Sequence, residues 1–325
     1  MIDLPKLLEA YNRNTLSFES VAIEIYNFQL EHNSVFRDYC HSIGKGNFIG
    51  SIDEIVYLPI SAYKSQYVSN IHHAFDQTPV TFTSSGTTKT TASKHNLASK
   101  TAYLNGAQQI FEAQYGPLMD YTIFALLPSY LERSGSSLVA MADHFIKIAG
   151  GGFYLDDHAN LSREIADAKG RVLLIGVSFA LLDLAERGIE IKQNNLIVME
   201  TGGMKGRRKE ISRDELHQIL SSAFGCDQIH SEYGMTELCS QAYSSGNGIF
   251  DENPWMKINL REVTDPFSQT QNNKPGVIQV IDLNNYQTCS FIETEDLGRR
   301  VGDNQFTVLG RLDNSDVRGC NLLVL

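Results

Sequence analysis

The sequence predicts an α/β protein with a largely parallel sheet, followed by a smaller β-rich subdomain. Three observations carry this. From residue 79 onward, short β-rich runs alternate with helical stretches, as in strands joined by crossover helices. After Gly246 the texture changes to short strand-like runs broken by Asn, Gly and Asp, residues that favour turns. The 325 residues contain no internal repeat, and a chain of this length holds about two domains on a prior of roughly 150 residues each. The expected division is an α/β core with an N-terminal helical segment over residues 1–246, then a β-rich subdomain over 247–325 that ends in a hinge-like motif and a cysteine-bearing tail.

Taken in order, residues 16–30 (LSFESVAIEIYNFQL) carry apolar residues at helical spacing behind Asn14 or Thr15 as a cap. Residues 79–83 (PVTFT) read as a strand entering a polar loop, and 97–115 as a helix. A buried strand is expected over 121–127 (YTIFALL), then a loop and the helical SSLVAMADHFIKIAG. Apolar strands at 171–175 and 196–199 flank the helical FALLDLAERG. Ser212 and Glu215 open a helix to Phe224 at capping-box spacing, and 227–230 reads as a short strand. The runs VIQVIDL, CSFIET and QFTVLG supply the C-terminal strands.

Composition excludes several functions. With 27 basic against 38 acidic residues and a net charge of -11, the balance argues against the broad basic surface that nucleic-acid binding needs and leaves room for a local basic pocket. A hydrophobic content of 42 % with 20 % charged residues is globular rather than disordered. No apolar run approaches the roughly 18 residues of a membrane helix, and MIDLPKLLEA lacks the pattern of a secretory signal. The expectation is a cytoplasmic protein. The five cysteines are scattered without a CxxC pair, so neither a disulfide framework nor a zinc site is indicated.

Four strings carry chemistry. Thr83-Ser84-Ser85-Gly86-Thr87-Thr88-Lys89 is a hydroxyl-rich turn directly after a strand. A glycine admits close backbone approach, and hydroxyls with N–H groups can surround phosphate oxygens. It is not the P-loop, and a Ser/Thr-rich surface loop is its other reading. Ser231-Glu232-Tyr233-Gly234-Met235-Thr236-Glu237 joins a stacking ring, a hydroxyl and a carboxylate able to hold Mg²⁺. In Glu293-Thr294-Glu295-Asp296-Leu297-Gly298, Asp296 suits ribose hydroxyls, and in Gly310-Arg311-Leu312-Asp313, Arg311 suits a phosphate.

In this order the strings resemble the ATP-site motifs of the acyl-adenylate-forming superfamily, from about residue 80 to the C-terminus. The resemblance implies that Ser84, Ser85, Gly86, Thr87 and Thr88 form the phosphate loop, although Lys89 replaces the usual next glycine. It makes Thr201, Gly202 and Gly203 the adenine wall, and Tyr233 and Gly234 part of the adenine motif. Thr236 would meet the α-phosphate, Glu237 hold Mg²⁺, Asp296 bind the ribose and Arg311 mark the interdomain hinge. Within the superfamily, LLPSYLERSGSSLVAM (126–141), METGGMKGRRKE (199–210) and DVRGCNLLVL (316–325) look most like the LuxE-type acyl-protein synthetases, relatives of phenylacetate-CoA ligases. That implies ATP and Mg²⁺ as cofactors, a fatty acid as substrate, an acyl reductase or other acyl-accepting protein as partner, and no mobile C-terminal domain.

The same resemblance makes Cys320 the acyl acceptor, beside Arg318, whose charge favours a thiolate. From Arg311 to Cys320 an extended chain spans at most about 30 Å. A small buried residue in a final strand is the other reading of Cys320. Tyr130, Glu132 and Arg133 suit either the acyl pocket or a structural ion pair. The basic run Lys205, Arg207, Arg208 and Lys209 suits a solvated helix flank or the steering of ATP or a partner. His144, His230, Cys226, Cys239 and Cys289 are taken as structural. A CoA ligase or acyltransferase using a soluble thiol, and a non-catalytic nucleotide- or acyl-binding subunit, stand as alternatives.

Overall fold

A computed structural model of the chain describes residues 3–70, 78–84, 92–127, 135–154, 157–188, 191, 193–203, 208–209, 211–270 and 274–312. The chain folds as two units, Met1–Phe75 with Asp251–Leu325, and Asp76–Phe250. The N-terminal helices group with the C-terminal strands in one unit, and the α/β segment forms the other.

The first unit begins with α1 (Leu4–Asn12), α2 (Phe18–His32) and α3 (Ser34–Ser42), then β1 (Leu58–Pro59) and α4 (Ala62–Ser65). Ser17, rather than Asn14 or Thr15, caps α2, its hydroxyl accepting from the Ser20 N–H at 3.2 Å. Asn14 instead takes φ 57° in the turn after α1, and the Thr15 hydroxyl donates to the Ala10 carbonyl.

The second unit contains β2 (Val80–Thr83), β3 (Lys94–Leu97), α5 (Lys100–Tyr115), β4 (Tyr121–Leu126), α6 (Ser137–Ala149), β5 (Gly151–Tyr154), α7 (His158–Asp167), β6 (Arg171–Val177), α8 (Ser178–Glu186), β7 (Leu196–Thr201), α9 (Arg213–Phe224), β8 (His230–Tyr233) and β9 (Ala242–Ser244). Parallel pairing runs β5-β4-β6-β7-β8, and β9 adds antiparallel to β8. β4 and β6 are buried on both faces, which is why they read as continuous apolar runs. β2 and β3 form a separate antiparallel hairpin. Leu97 therefore ends a strand instead of opening α5, whose cap is Ser99, accepting from the Ala102 N–H at 3.1 Å.

β10 (Ile249–Asp251) lies at the break between units, and β11 (Met256–Arg261), β12 (Gly276–Asp282), β13 (Phe291–Gly302) and β14 (Gln305–Arg311) form an antiparallel run in the first unit. β1 pairs parallel to β13. Buried amides hold the N-terminal helices to these strands. The Asn33 side chain donates to the Thr288 carbonyl at 2.8 Å, and the Gln29 side chain accepts from the Ser290 N–H at 2.9 Å and donates to the Tyr286 carbonyl at 3.2 Å. Around them Tyr26 packs edge-on against Phe36 and Phe291, with centroids 5.2 Å away in each case. No described helix is long and apolar enough to cross a membrane.

Candidate active site

The site in the second unit is built by strand register. β7 and β8 are parallel neighbours with Thr201 opposite Glu232, so Gly202-Gly203 and Tyr233-Gly234 leave the same carboxyl edge of the sheet. In α/β sheets that edge is where ligands bind. Gly202 turns the chain there with φ +72°, a conformation that L side chains rarely adopt. Gly202, Gly203 and Gly234 are exposed, Thr236 is half-buried, and Tyr233 and Glu237 are buried at 7 % exposure. The Tyr233 ring lies 5.8 Å from Phe250. The strand expected at 227–230 runs instead through His230–Tyr233. Its polar residues are buried because partners meet them: the Thr201 hydroxyl donates to the Glu232 carboxylate, and the Ser231 hydroxyl is 3.3 Å from His217 Nε2.

The β2–β3 hairpin is tied to this edge. Ser84 and Ser93 close its loop: the Ser84 N–H donates to the Ser93 carbonyl at 3.1 Å, and the Ser93 N–H donates to the Ser84 hydroxyl at 2.9 Å. On β3 the fully buried His95 reaches across, its Nδ1 lying 2.7 Å from the Thr236 carbonyl. A carbonyl only accepts, so Nδ1 carries the proton. The hairpin that carries Ser84 is thereby anchored to the loop that carries Thr236 and Glu237. Ser85, Gly86, Thr87, Thr88 and Lys89 lie outside the described residues.

On the face of β7 opposite Thr201 sits a charged cluster. Glu200, 3 % exposed, accepts from the Ser178 hydroxyl at 3.0 Å and lies 3.4 Å from Arg213 Nε and 3.7 Å from His217 Nε2. The Ser178 oxygen is also 3.1 Å from the Gly202 carbonyl, and its single proton serves one acceptor at a time. Burial works to raise the Glu200 pKa, yet His217, Arg213 and Ser231 outweigh it and hold the carboxyl below its usual range.

In the first unit, Asp296 is buried on β13 opposite Arg311 of β14. The exposed guanidinium of Arg311 lies 3.5 Å from Glu295 and 3.8 Å from Asp296, and Lys64 lies 3.5 Å from Glu295. Arg311 thus meets carboxylates of its own unit.

Of the remaining candidates, Cys320, Tyr130, Glu132, Arg133, Lys205 and Arg207 lie outside the described residues. Arg208 pairs with Asp183 and Glu186 of α8, which matches a structural flank better than ATP steering. His230 bonds the Tyr115 hydroxyl at 3.0 Å and His144 the Gln108 side chain at 3.0 Å. Cys40, Cys239 and Cys289 are buried, and burial pushes the Cys40 thiol up to about 11 and those of Cys226 and Cys289 upward too. An open depression of about 450 Å³ lined by Gln193, Leu196, Cys226 and His230 lies at the amino ends of β7 and β8, the wrong edge for the motifs. Sequence reading missed His95, Ser178, Glu200 and His217. Their only signal was a polar residue at an inward-facing position, as in the carboxylate that interrupts the apolar strand LIVMET.

No protein-family model matches the chain, and no curated protein matches it. Solved structures do. The ATP-bound RpMatB-BxBclM chimera B3 aligns with a TM-score of 0.53 and 15 % identity over 71 % of this chain and 47 % of that one. A luciferase-like enzyme from the nonluminescent mealworm Zophobas morio aligns with a TM-score of 0.51 and 17 % identity over 74 % and 59 %. A double mutant of o-succinylbenzoate CoA synthetase (MenE) from Bacillus subtilis gives 0.52 and 16 % over 71 % and 48 %. The match spans about half the length of these chains. The chain has the mixed α/β fold of the acyl-adenylate-forming enzymes, as its sequence predicts.

Proposed function

We propose that the chain activates a carboxylic acid with ATP. The observation that carries this reading is the His95–Thr236 bond, which gathers the hairpin flanking the hydroxyl-rich loop onto the edge that holds Gly202, Tyr233 and Glu237. A carboxylate oxygen of the substrate attacks the α-phosphorus, the bond to the bridging oxygen breaks, and pyrophosphate leaves. Ser84, Ser85, Gly86, Thr87 and Thr88 hold phosphates, Thr236 the α-phosphate, Gly202, Gly203, Tyr233 and Gly234 the adenine, and Asp296 the ribose. Arg311 orients Asp296. Holding the reactants in line and neutralising charge supply most of the acceleration.

The described residues contain no cluster of three metal-ligating side chains. Mg²⁺ fits such a site, because it takes one or two carboxylates and completes its shell with phosphate oxygens and water. Glu237, buried at the edge, is the carboxylate assigned to it, and the ion would neutralise phosphate charge.

In the second step the Cys320 thiolate attacks the acyl carbon, AMP leaves, and the thioester passes the acyl group to a partner protein such as an acyl reductase. The fatty-acid substrate and this transfer rest on the sequence resemblance. Intact-mass spectrometry after incubation with Mg-ATP and a panel of carboxylic acids tests it. The expected result is one hydroxylamine-labile acyl adduct, mapped to Cys320 and absent from Cys320→Ser. Formation of acyl-CoA that is undiminished in Cys320→Ser would assign the acyl group to a soluble thiol. ATP binding without turnover of any acid would leave a non-catalytic binding subunit.

A further inference from the structure

Ser178 opens α8, yet its hydroxyl caps nothing there, since α8 has no side-chain cap. The residue is buried at 2 % exposure. Val177 pairs with Thr201 across β6 and β7, so Ser178 and Gly202 follow side by side at the carboxyl edge. The Ser178 oxygen lies 3.0 Å from Glu200 Oε2 and 3.1 Å from the Gly202 carbonyl, two acceptors for one proton. The Gly202 carbonyl therefore faces β6. The peptide is trans, and in a trans peptide the carbonyl and the following N–H point in opposite directions. The Gly203 N–H is thus turned away from β6, to the side of β8, where Tyr233 and Gly234 leave the sheet. Gly203 is exposed, a Cβ added to it would meet nothing within 4 Å, and its N–H makes no backbone hydrogen bond among the described residues.

An ionised carboxylate holds a hydroxyl proton more strongly than a neutral carbonyl does, so without a ligand Ser178 donates mainly to Glu200. An acceptor on the Gly203 N–H polarises the amide it shares with Gly202, and the Gly202 carbonyl becomes a stronger acceptor in turn. We propose that Ser178 is a positioning residue for the nucleotide: its hydroxyl turns from Glu200 to the Gly202 carbonyl when a ring nitrogen of adenine accepts from the Gly203 N–H. This rests on the proposed adenylation, in which Gly202 and Gly203 wall the adenine. Glu200 releases the hydroxyl at small cost because Arg213 at 3.4 Å and His217 at 3.7 Å stay beside it. Ser178 touches no substrate and acts through the Gly202–Gly203 peptide.

The test measures binding of Mg-ATP and of its 1-deaza, 3-deaza and 7-deaza analogues, each lacking one ring acceptor, to wild type, Ser178→Ala and Glu200→Gln. Acid-dependent ATP–pyrophosphate exchange is followed in parallel. In wild type one analogue binds about tenfold more weakly than ATP, the size of one hydrogen bond. Ser178→Ala weakens ATP several-fold and shrinks that analogue's penalty below threefold. Glu200→Gln offers Ser178 a neutral acceptor in place of a charged one, so the hydroxyl turns to Gly202 more readily. ATP then binds at least as tightly as to wild type and the penalty persists. A merely structural role would make both variants weaken ATP alike, and the Glu200→Gln arm decides the matter even where Ser178→Ala fails to fold. Absence of exchange with every acid, with ATP binding sensitive to the two variants in opposite directions, would sink the adenylation reading and leave the positioning role standing. Equal binding of all three analogues, a penalty unchanged in Ser178→Ala, or a Glu200→Gln protein that loses ATP overturns the inference.

Discussion

Replacing Glu200 by alanine tests the charged cluster on β7. Glu200 is 3 % exposed, Arg213 is 30 % exposed at its side chain and His217 is 12 % exposed. Removing one member of a buried pair destabilises by about 3–5 kcal/mol because the partner stays behind uncompensated. Arg213 is partly solvated and packs 5.2 Å from the Phe250 ring, which places the expected loss at the low end, about 3 kcal/mol. For a cooperative unit of this size that loss lowers Tm by roughly 6–12 °C. The assay is thermal unfolding followed by circular dichroism from pH 7 downward. The Glu200 pKa is lowered in the fold, so its stabilisation is fully present above the ordinary value of 4.5 and is lost as pH falls through the lower folded value. The gap between wild type and variant therefore narrows below about pH 4.5. Glu200→Gln keeps the shape and an acceptor for Ser178, and falls between the two. A Tm drop under 2 °C, or a gap that stays constant as acid is added, would refute the claim that Glu200 is held by its charge.

Two further outcomes follow from buried groups. Burial lowers the pKa of His230 and His144 below the ordinary 6.5, with His217 adding to the effect at His230. Both contribute stability above pH 6.5 that is lost as pH falls through their folded values, so His230→Gln flattens the decline in Tm just below pH 6.5, and an unchanged slope would contradict this. Native alkylation followed by peptide mapping leaves Cys40, Cys239 and Cys289 unmodified, because all three are buried and burial raises the thiols of Cys40 and Cys289. Rapid labelling of any of them in the folded protein would count against the packing described.

The parallel strands were legible where burial on both faces forces an apolar run, as in β4, β6 and the core of β7. The motifs were legible because each is a short local string. What escaped was set by distant partners. The Gln29 and Ser290 side chains meet across 261 positions, and that pairing groups the N-terminal helices with the C-terminal strands. His95 and Thr236 meet across 141 positions. β8 hid its strand character because Ser231 and Glu232 are polar, and partners on α9 and β7 make their burial tolerable. Periodicity reports which face is apolar and carries no record of which polar side chains will find each other.

The most direct test of the central claim is exchange of labelled pyrophosphate into ATP, with Mg²⁺ present, with and without a panel of carboxylic acids, on wild type and Glu237→Ala. Adenylation predicts exchange that requires one of the acids, and that falls at least a hundredfold in Glu237→Ala while the circular dichroism spectrum is kept. Exchange absent for every acid, or undiminished when Glu237 is removed, would contradict the account.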